Sequence, residues 1–574
     1  MKIENLITDH LDLWTAAVRP KSSAGRGSNS KLELTGIKKL RELILELAVR
    51  GKLVPQDPSD EPASVLLERI ATEKTRLVKE KKIKKSKALP EIGEKEKLFE
   101  LPDGWEWCRL SDIAFPQAGF AFKSNGFNEH GEGIPLIRIR DVGQVFSGTY
   151  YNGEYKPEFV VMRGEYLVSM DGNFRVAPWS GSEALLNQRV TRLIFFFEKT
   201  AKRFIAESLQ LRLISLQGVK AYTTVDHLSG GQIAESVIAI PPLAEQHRIV
   251  AKVDDLMALC DQLELRSESQ LAAHQMLVET LLATLTDSAD ADELAQNWAR
   301  LSTHFDTLFT TEASIDALKQ TILQLAVMGK LVPQDPSDEP ASALLERIAA
   351  KKAQLVKEKK IKKEKPLPAI SEDEKPFELP QGWEWCRLPD LGELARGKSK
   401  HRPRNDPKLY VNGTIPLIQT GDVARADGLI ESYTAMYNEI GLAQSQLWPK
   451  GTLCITIAAN IADTGILGFD ACFPDSVVGY TPYESSLPVV YFDFFIRTAK
   501  ENLERFAPST AQKNINLEIL SNILVPCPPT QEFIRIVSRV NDLFAICDQL
   551  KSRLQTSQQT QLVLAESLVE GALA

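Results

Sequence analysis

The residue patterns that could carry chemistry in this chain each fail on their neighbours. Gly392-Glu-Leu-Ala-Arg-Gly397-Lys398-Ser399 matches the phosphate-loop pattern GxxxxGK[ST] letter for letter. In that pattern backbone N–H groups and a lysine cradle a nucleotide. The geometry needs a buried strand before the loop and a helix after it. Here Pro389 interrupts the approach, and Arg402-Pro403 and Asp406-Pro407 break the expected helix. Val489-Val-Tyr-Phe-Asp493 has the form of a Mg2+-binding strand, but so does any apolar strand ending in Asp. DNA methylation would require Asn-Pro-Pro or Asp-Pro-Pro before an aromatic residue, or a Pro-Cys nucleophile, and a glycine-rich turn for S-adenosylmethionine. The Pro-Pro pairs follow Ile240 and Cys527 instead, and Pro526-Cys527 has no counterpart in the first half. Seven cysteines and seven histidines form no CxxC pair and no metal-ligand spacing. The sequence therefore predicts a non-catalytic chain.

Polar side chains suited to nucleic acid are more numerous. Arg396-Gly-Lys398-Ser-Lys400-His401-Arg402-Pro-Arg404 is the densest basic cluster, in a Gly/Pro-broken loop that suits phosphate contact. Asn187-Gln188-Arg189 and Gln512-Lys513-Asn514 supply side chains that pair with purine edges. An ordinary polar loop explains each of these equally well. The lysine-rich run 79–85 reads better as a solvated helix end than as a DNA contact.

The elements that hold these residues come from a duplication. Residues 45–110 and 323–388 align without a gap at an offset of 278, with 52 of 66 positions identical. Pro241-Pro-Leu-Ala-Glu-Gln246 and the helix after it repeat at Pro528-Pro-Thr-Gln-Glu-Phe533, at an offset of 287. Residues 8–12 echo weakly at 302–306. Four cysteines (108 with 386, 260 with 547) are repeat-related, which favours small core sites over chemistry. Residues 111–240 and 389–527 lie between the near-identical pieces and share only scattered landmarks. A constant frame carrying two divergent inserts is what a two-headed reader requires.

Within the frame, Ile37, Leu40, Ile44 and Leu47 show helix-seam spacing and Gly51 is a C-cap. A second helix is expected from Ser64 to about Lys85, with Leu66, Leu67, Ile70 and Leu77 inward. Val540, Leu543, Cys547, Leu550, Leu554, Ser557, Gln561, Leu564 and Leu568 keep heptad spacing. Val253, Leu256, Cys260, Leu263, Ser267, Gln270, His274, Leu277 and Leu281 do the same in the first half. About 30 residues at ~1.5 Å each make a rod of roughly 45 Å, and two such helices suit an antiparallel pair. Both inserts open on Gly-Trp-Glu-Trp-Cys-Arg-Leu. Strand-like runs follow at 133–141, 165–170 and 189–197, then at 413–420, 452–457 and 489–495.

The composition is that of a globular protein of 574 residues, 43% hydrophobic and 25% charged, with net charge −8. No apolar run approaches the ~20 residues of a membrane span. The N-terminal Met1-Lys2-Ile3-Glu4-Asn5 lacks the apolar core of a secretory signal, so a reducing cytoplasm is expected. Residues 101–240 hold 14 Lys+Arg against 15 Asp+Glu, and residues 379–527 hold 13 against 16. Neither insert presents a basic field, so weak DNA binding by the isolated chain is expected.

The order of variable region, Pro-Pro-led helix, variable region and helix resembles the specificity subunit of type I restriction–modification systems. Ser169-Met-Asp-Gly-Asn173, His227-Leu-Ser-Gly-Gly-Gln-Ile233, Gln512-Lys-Asn-Ile-Asn-Leu517 and the Gly-Lys-Leu-Val-Pro-Gln-Asp-Pro segment add to the likeness. The doubled N-terminal block most resembles the subgroup often called type IB. Pro528-Pro-Thr-Gln-Glu-Phe departs from the more typical run at 241–246.

The resemblance implies an α+β fold with a pseudo-two-fold internal repeat: two mixed recognition domains joined and separated by long antiparallel coiled-coil-like helices. The regions would be 1–100 (helical, repeated in 300–378), 101–240 (first target-recognition domain), 241–378 (central helical), 379–527 (second target-recognition domain) and 528–574 (C-terminal long helix). Each domain would read half of a bipartite, asymmetric double-stranded DNA site, with the helices setting the spacer. Two modification subunits and restriction subunits would be the partners. S-adenosylmethionine, ATP and Mg2+ would belong to them, with no cofactor or metal in this chain. DNA contacts would come from Lys123, Arg138, Arg140, Asn173, Arg175, Gln188 and Arg189, and from Lys398, Lys400, Arg402, Arg404, Gln419, Asn460, Gln512 and Lys513. The rival readings are a fused DNA methyltransferase or ATPase, and a coiled-coil scaffold without DNA specificity.

Overall fold

In the computed structural model, which describes residues 3–20, 32–83, 89–215, 228–361, 366–458, 461–505 and 515–573, the repeated sequence builds the same frame twice. Helix Thr35–Val49 buries Ile37, Leu40, Ile44 and Leu47, as its spacing predicts, and Leu43 as well. It stops at Gly51, whose φ is +70°; a Cβ there would meet Pro102 Cγ at 2.5 Å, so glycine is required twice over. Helix Ala63–Lys79 follows, then strand Glu106–Arg109 paired antiparallel with Val237–Ile240, which leads into the long helix Leu243–Thr286. The second copy runs Glu312–Val327, Ala341–Lys357, Glu384–Arg387 paired with Leu524–Cys527, and long helix Thr530–Leu573.

Side-chain bonds in the frame repeat as faithfully as its sequence. The buried Arg109 guanidinium donates to Pro90 O, Glu235 O and Glu96 Oε1, at 3.2, 2.9 and 3.1 Å. Arg387 donates to Pro368 O and Glu374 Oε1 at 3.3 Å each, and to Asn522 O. Each arginine thus ties the start of an insert to its end. Lys330 Nζ donates to Thr286 O at 2.8 Å, at the carbonyl-rich end of a long helix, and Lys52 Nζ donates to Leu573 O at 2.8 Å in the same way.

The chain forms two units. One comprises Met1–Ser269 with Ser557–Ala574, the other Gln270–Thr556. Both inserts fold with one topology despite their divergence. In the first, one antiparallel sheet has the order Val176–Pro178, Tyr166–Ser169, Val190–Phe195, Ala114–Ala118. The other runs Phe127–Asn128, Tyr150–Tyr151, Ile134–Ile137, Ala184–Leu186, Val160–Val161. In the second insert the corresponding orders are Thr464–Leu467, Leu453–Thr456, Val477–Pro482, Gly392–Arg396, and Ala435–Tyr437, Ile415–Leu417, Ala471–Cys472, Leu447–Trp448. Among the described residues, eight strands of these sheets correspond in chain order, and one further strand in each (Phe127–Asn128, Leu429–Ile430) does not.

Three expectations are corrected. The run 489–495 is not a strand but the start of helix Val489–Arg505. Its aromatic residues favour a strand locally, yet Tyr491, Phe492 and Ile496 are buried in the core of the second unit, and an Asp493–Arg497 pair at 3.1 Å closes one helical turn. The second frame helix ends at Lys79, because Lys81 turns left-handed (φ +57°) and Lys82 N–H donates back to Leu77 O; residues 84 and 85 lie outside the described residues. The long helices run 44 residues each, ~66 Å at the usual rise, instead of about 30.

Their seams also depart from the heptad. In the first, the inward positions are Leu256, Cys260, Leu263, then Ser267, Leu271, His274, then Val278, Leu282, Leu285. In the second they are Leu543, Cys547, Leu550, then Leu554, Gln558, Gln561, then Ala565, Val569, Ala572. This is an 11-residue repeat, whose 3.67 residues per turn keep a nearly straight helix in register. Leu277 and Leu564, seam residues on heptad spacing, are consequently 51% exposed each, and Gln270 and Ser557 also face outward. The neighbouring Met276 and Val563 are 71% and 49% exposed.

Candidate DNA interface

The strand pairing of each insert gathers polar residues at one sheet end. In the first insert, Ile134–Ile137 runs parallel to Ala184–Leu186, with Ile137 beside Leu186. Arg138 and Asn187 therefore leave the sheet at the same end. Gly119 N–H donates to Val190 O and Phe120 N–H to Leu186 O, bringing a third segment there. Only glycine fits at 119, where a Cβ would lie 2.0 Å from Asn187 O. The hairpin beyond Tyr166–Ser169 joins through Met170 N–H to Arg189 O at 3.1 Å, and Arg189 pairs with Asp171 at 3.4 Å. Ser169 Oγ donates to Asn173 O and accepts from Arg175 N–H, which shapes that hairpin.

The structure thus brings Arg138, Asn173, Arg175, Gln188 and Arg189 together. Arg140 instead turns to Ser147 Oγ (2.9 Å) and Thr149 Oγ1 (3.2 Å), within its own turn. Lys123 is exposed at the start of the Ser124–Gly126 turn. Phe120, which polar-residue reasoning misses, is 40% exposed at this end, its ring 5.2 Å from those of Phe122 and Phe159.

The second insert repeats the plan. Leu417 lies parallel to Cys472, and Ile418 N–H donates to Cys472 O, which sends Gln419 and Phe473-Pro474-Asp475 out together. Gly397 N–H donates to Val477 O and adds the basic loop. Gln444 Oε1 accepts from the backbone N–H groups of Lys400 (2.7 Å) and His401 (3.0 Å), while Ser445 Oγ donates to Lys398 O (2.8 Å). Tyr410 Oη donates to Arg404 O (2.6 Å). His401 pairs with Asp406 at 2.9 Å, and that carboxyl is held below its ordinary range, first by the Lys408 backbone N–H and then by His401. Arg404 pairs with Asp475. Lys398, Lys400, Arg402, Arg404 and Gln419 therefore share one end of the sheet. Asn460, Gln512 and Lys513 lie outside the described residues. No sequence signal singles out Gln444 or Asp475, which act by folding back from other strands.

The phosphate-loop match dissolves in this setting. Gly392–Arg396 is itself a strand, paired with Val477–Pro482, and a Cβ on Gly397 would lie 2.3 Å from Phe473 O. Among the described residues no helix is long and apolar enough to cross a membrane, and no group of His, Cys, Asp and Glu could hold a metal. All seven cysteines are buried, and burial pushes the Cys108 and Cys454 thiols well up.

A near-invariant frame presenting two sheet-rich heads, each with polar loops gathered at one sheet end, defines a recognition subunit. The model of the family described as "Type I restriction modification DNA specificity domain" matches residues 102–273 and 380–557. The specificity subunit of the Escherichia coli type I restriction enzyme EcoEI is 43% identical, over 100% of both chains. That of EcoAI, also from Escherichia coli, is 41% identical over 100% of both. A chain from a solved type I restriction–modification complex superposes with a TM-score of 0.47 at 17% identity, covering 83% of this chain and 99% of its own. The chain belongs to the type I restriction–modification specificity-subunit family, whose members are the non-catalytic DNA-recognition components of their systems.

Proposed function

We propose that this chain reads a bipartite, asymmetric double-stranded DNA target, with residues 101–240 and 379–527 as its two target-recognition domains. Residues 1–100, 241–378 and 528–574 form the helical frame that sets the unspecified spacer. The observation that carries this reading is one eight-strand topology built twice on a frame with 52 of 66 positions identical, while the loops at the gathered sheet end share only scattered positions such as Asp141-Val142 with Asp422-Val423. Lys123, Arg138, Arg140, Asn173, Arg175, Gln188 and Arg189 contact one half-site. Lys398, Lys400, Arg402, Arg404, Gln419, Asn460, Gln512 and Lys513 contact the other, lysines and arginines chiefly on phosphate and amides on base edges.

Two modification subunits dock on the long helices, and restriction subunits join them in the cytoplasm. S-adenosylmethionine, ATP and Mg2+ serve those partners. Exposed Met276-Leu277 and Val563-Leu564, at repeat-related positions, support two equivalent docking points. Mapping adenine methylation in cells that express the chain with its modification subunits tests the reading. A two-part motif with a fixed gap is expected; a continuous motif, or none, overturns it.

A further inference from the structure

We propose that Asp475 is an internal phosphate surrogate, a carboxylate that occupies the arginines of the basic loop until a DNA phosphate displaces it. The inference rests on reading that loop as a DNA contact, as above.

The loop packs Arg396, Lys398, Lys400, Arg402 and Arg404 into nine residues, an arrangement that repels itself. Neutral groups do most of the shaping: Gln444, Ser445 and Tyr410 bond only its backbone, and Arg402 Nη1 donates to the loop's own Ser399 O and His401 O at 2.6 and 2.8 Å. Asp475 differs. Its Oδ1 lies 2.6 Å from Arg404 Nη2 and its Oδ2 4.0 Å from Arg402 Nη2, while its backbone carbonyl accepts from Arg396 Nε at 3.0 Å. Two oxygens set before guanidinium groups are what a phosphodiester also offers. The sheet fixes the carboxylate in place, because Pro474 and Asp475 closely follow the strand Ala471–Cys472 and Gly397 seats against Phe473.

Both partners of the Arg404–Asp475 pair are partly exposed, 49% and 37%, so it adds little to the fold. Its effect falls on the ligand instead. Any DNA must displace Asp475 to reach Arg404, a cost shared by every sequence, and only base contacts to the right target offset it. Lys398 and Lys400, which have no ion pair among the described residues, remain ready for first encounter. At the equivalent end of the first head, Arg189 also lies beside a carboxylate, Asp171, at 3.4 Å.

The test uses the full chain assembled with its modification subunits. Affinity is measured against salt for a scrambled duplex and for the duplex carrying the mapped target. Asp475→Asn should bind the scrambled duplex roughly twofold to fivefold tighter, the range of an exposed ion pair. Its log–log salt slope should steepen by about 0.9 for each additional phosphate neutralised, and discrimination should fall. Unchanged scrambled-duplex affinity and slope would overturn the proposal. So would a loss confined to the target, since Asp475 would then be reading a base. Lys398→Ala/Lys400→Ala should weaken binding to both duplexes. Wild-type binding by that variant would sink the loop's DNA role itself, whatever Asp475→Asn does.

Discussion

The indole Nε1 of Trp105 donates to Glu245 Oε2 at 3.1 Å, and the bond recurs between Trp383 and Glu532 at 3.0 Å. Gln56 and Gln334 complete the two pairs by donating to the other carboxylate oxygen, at 3.2 Å each. Each glutamate begins a long helix and each tryptophan opens an insert, so one buried carboxylate fixes the angle between reader and rod. Glu245→Ala would strand the buried Trp105 N–H and should cost about 1–3 kcal/mol, read by chemical denaturation. Glu245→Gln should cost less, because its amide oxygen still accepts.

The same carboxyls give a pH signature. Burial raises Glu245 and Glu532 above the ordinary value of 4.5, against the lowering effect of Gln56, Trp105 and Arg248, or of Trp383, Gln334 and Arg535; Asp60 and Asp338 add to the rise. A raised carboxyl favours the fold while protonated. Its contribution is complete below the unfolded pKa and is lost as pH climbs through the folded one. The stability of wild type minus that of Glu245→Gln should therefore fall as pH rises from about 4.5 towards neutrality. A flat difference would contradict the burial argument.

Removing residues 557–574 should loosen the first unit and spare the second. Those residues belong to the first unit, bury Leu562 and Ala565, and end at the carbonyl that Lys52 caps. Each large apolar side chain uncovered is worth about 1.5–3 kcal/mol. Hydrogen exchange should quicken in helix Thr35–Val49 and stay slow in Glu312–Val327.

Leu277→Lys and Leu564→Lys should leave stability within about 0.5 kcal/mol of wild type, since both side chains already face solvent. If the helices dock two modification subunits, each single change should remove one and the double change both. Native mass spectrometry counts them directly.

Phosphate and base contacts separate by salt and by sequence. Lys398→Ala should weaken binding to every duplex and flatten the salt slope by about one. Gln188→Ala and Gln419→Ala should each cost about 1–3 kcal/mol at one position of opposite half-sites, read by methylation of variant targets.

Much of the fold is legible in the residues alone, and the exceptions share causes. Duplication exposes the frame because tight packing at Ile44, Leu47 or Cys108 tolerates little change. Heptad counting follows the seams to Ser267 and Leu554 and then leaves them, because spacing of 3.5 and 3.67 diverges only over several turns. The helix Val489–Arg505 hides behind aromatic residues that its burial demands and its local preference disfavours. Asp475, Gln444 and Phe120 give no signal because their roles arise from parallel strand ends that join segments far apart in sequence.

The paired strands at the mouth of each insert have an evolutionary consequence. Glu106–Arg109 beside Val237–Ile240, stapled by Arg109, hold the two ends of an insert about 5 Å apart whatever lies between. Inserts of 130 and 139 residues already occupy the two sockets. New specificity can thus arise by exchange of a whole cassette between matching flanks, with no refitting of the remainder. A population holding several cassettes acquires targets combinatorially, as the square of their number, and each substitution leaves the other half-site unchanged.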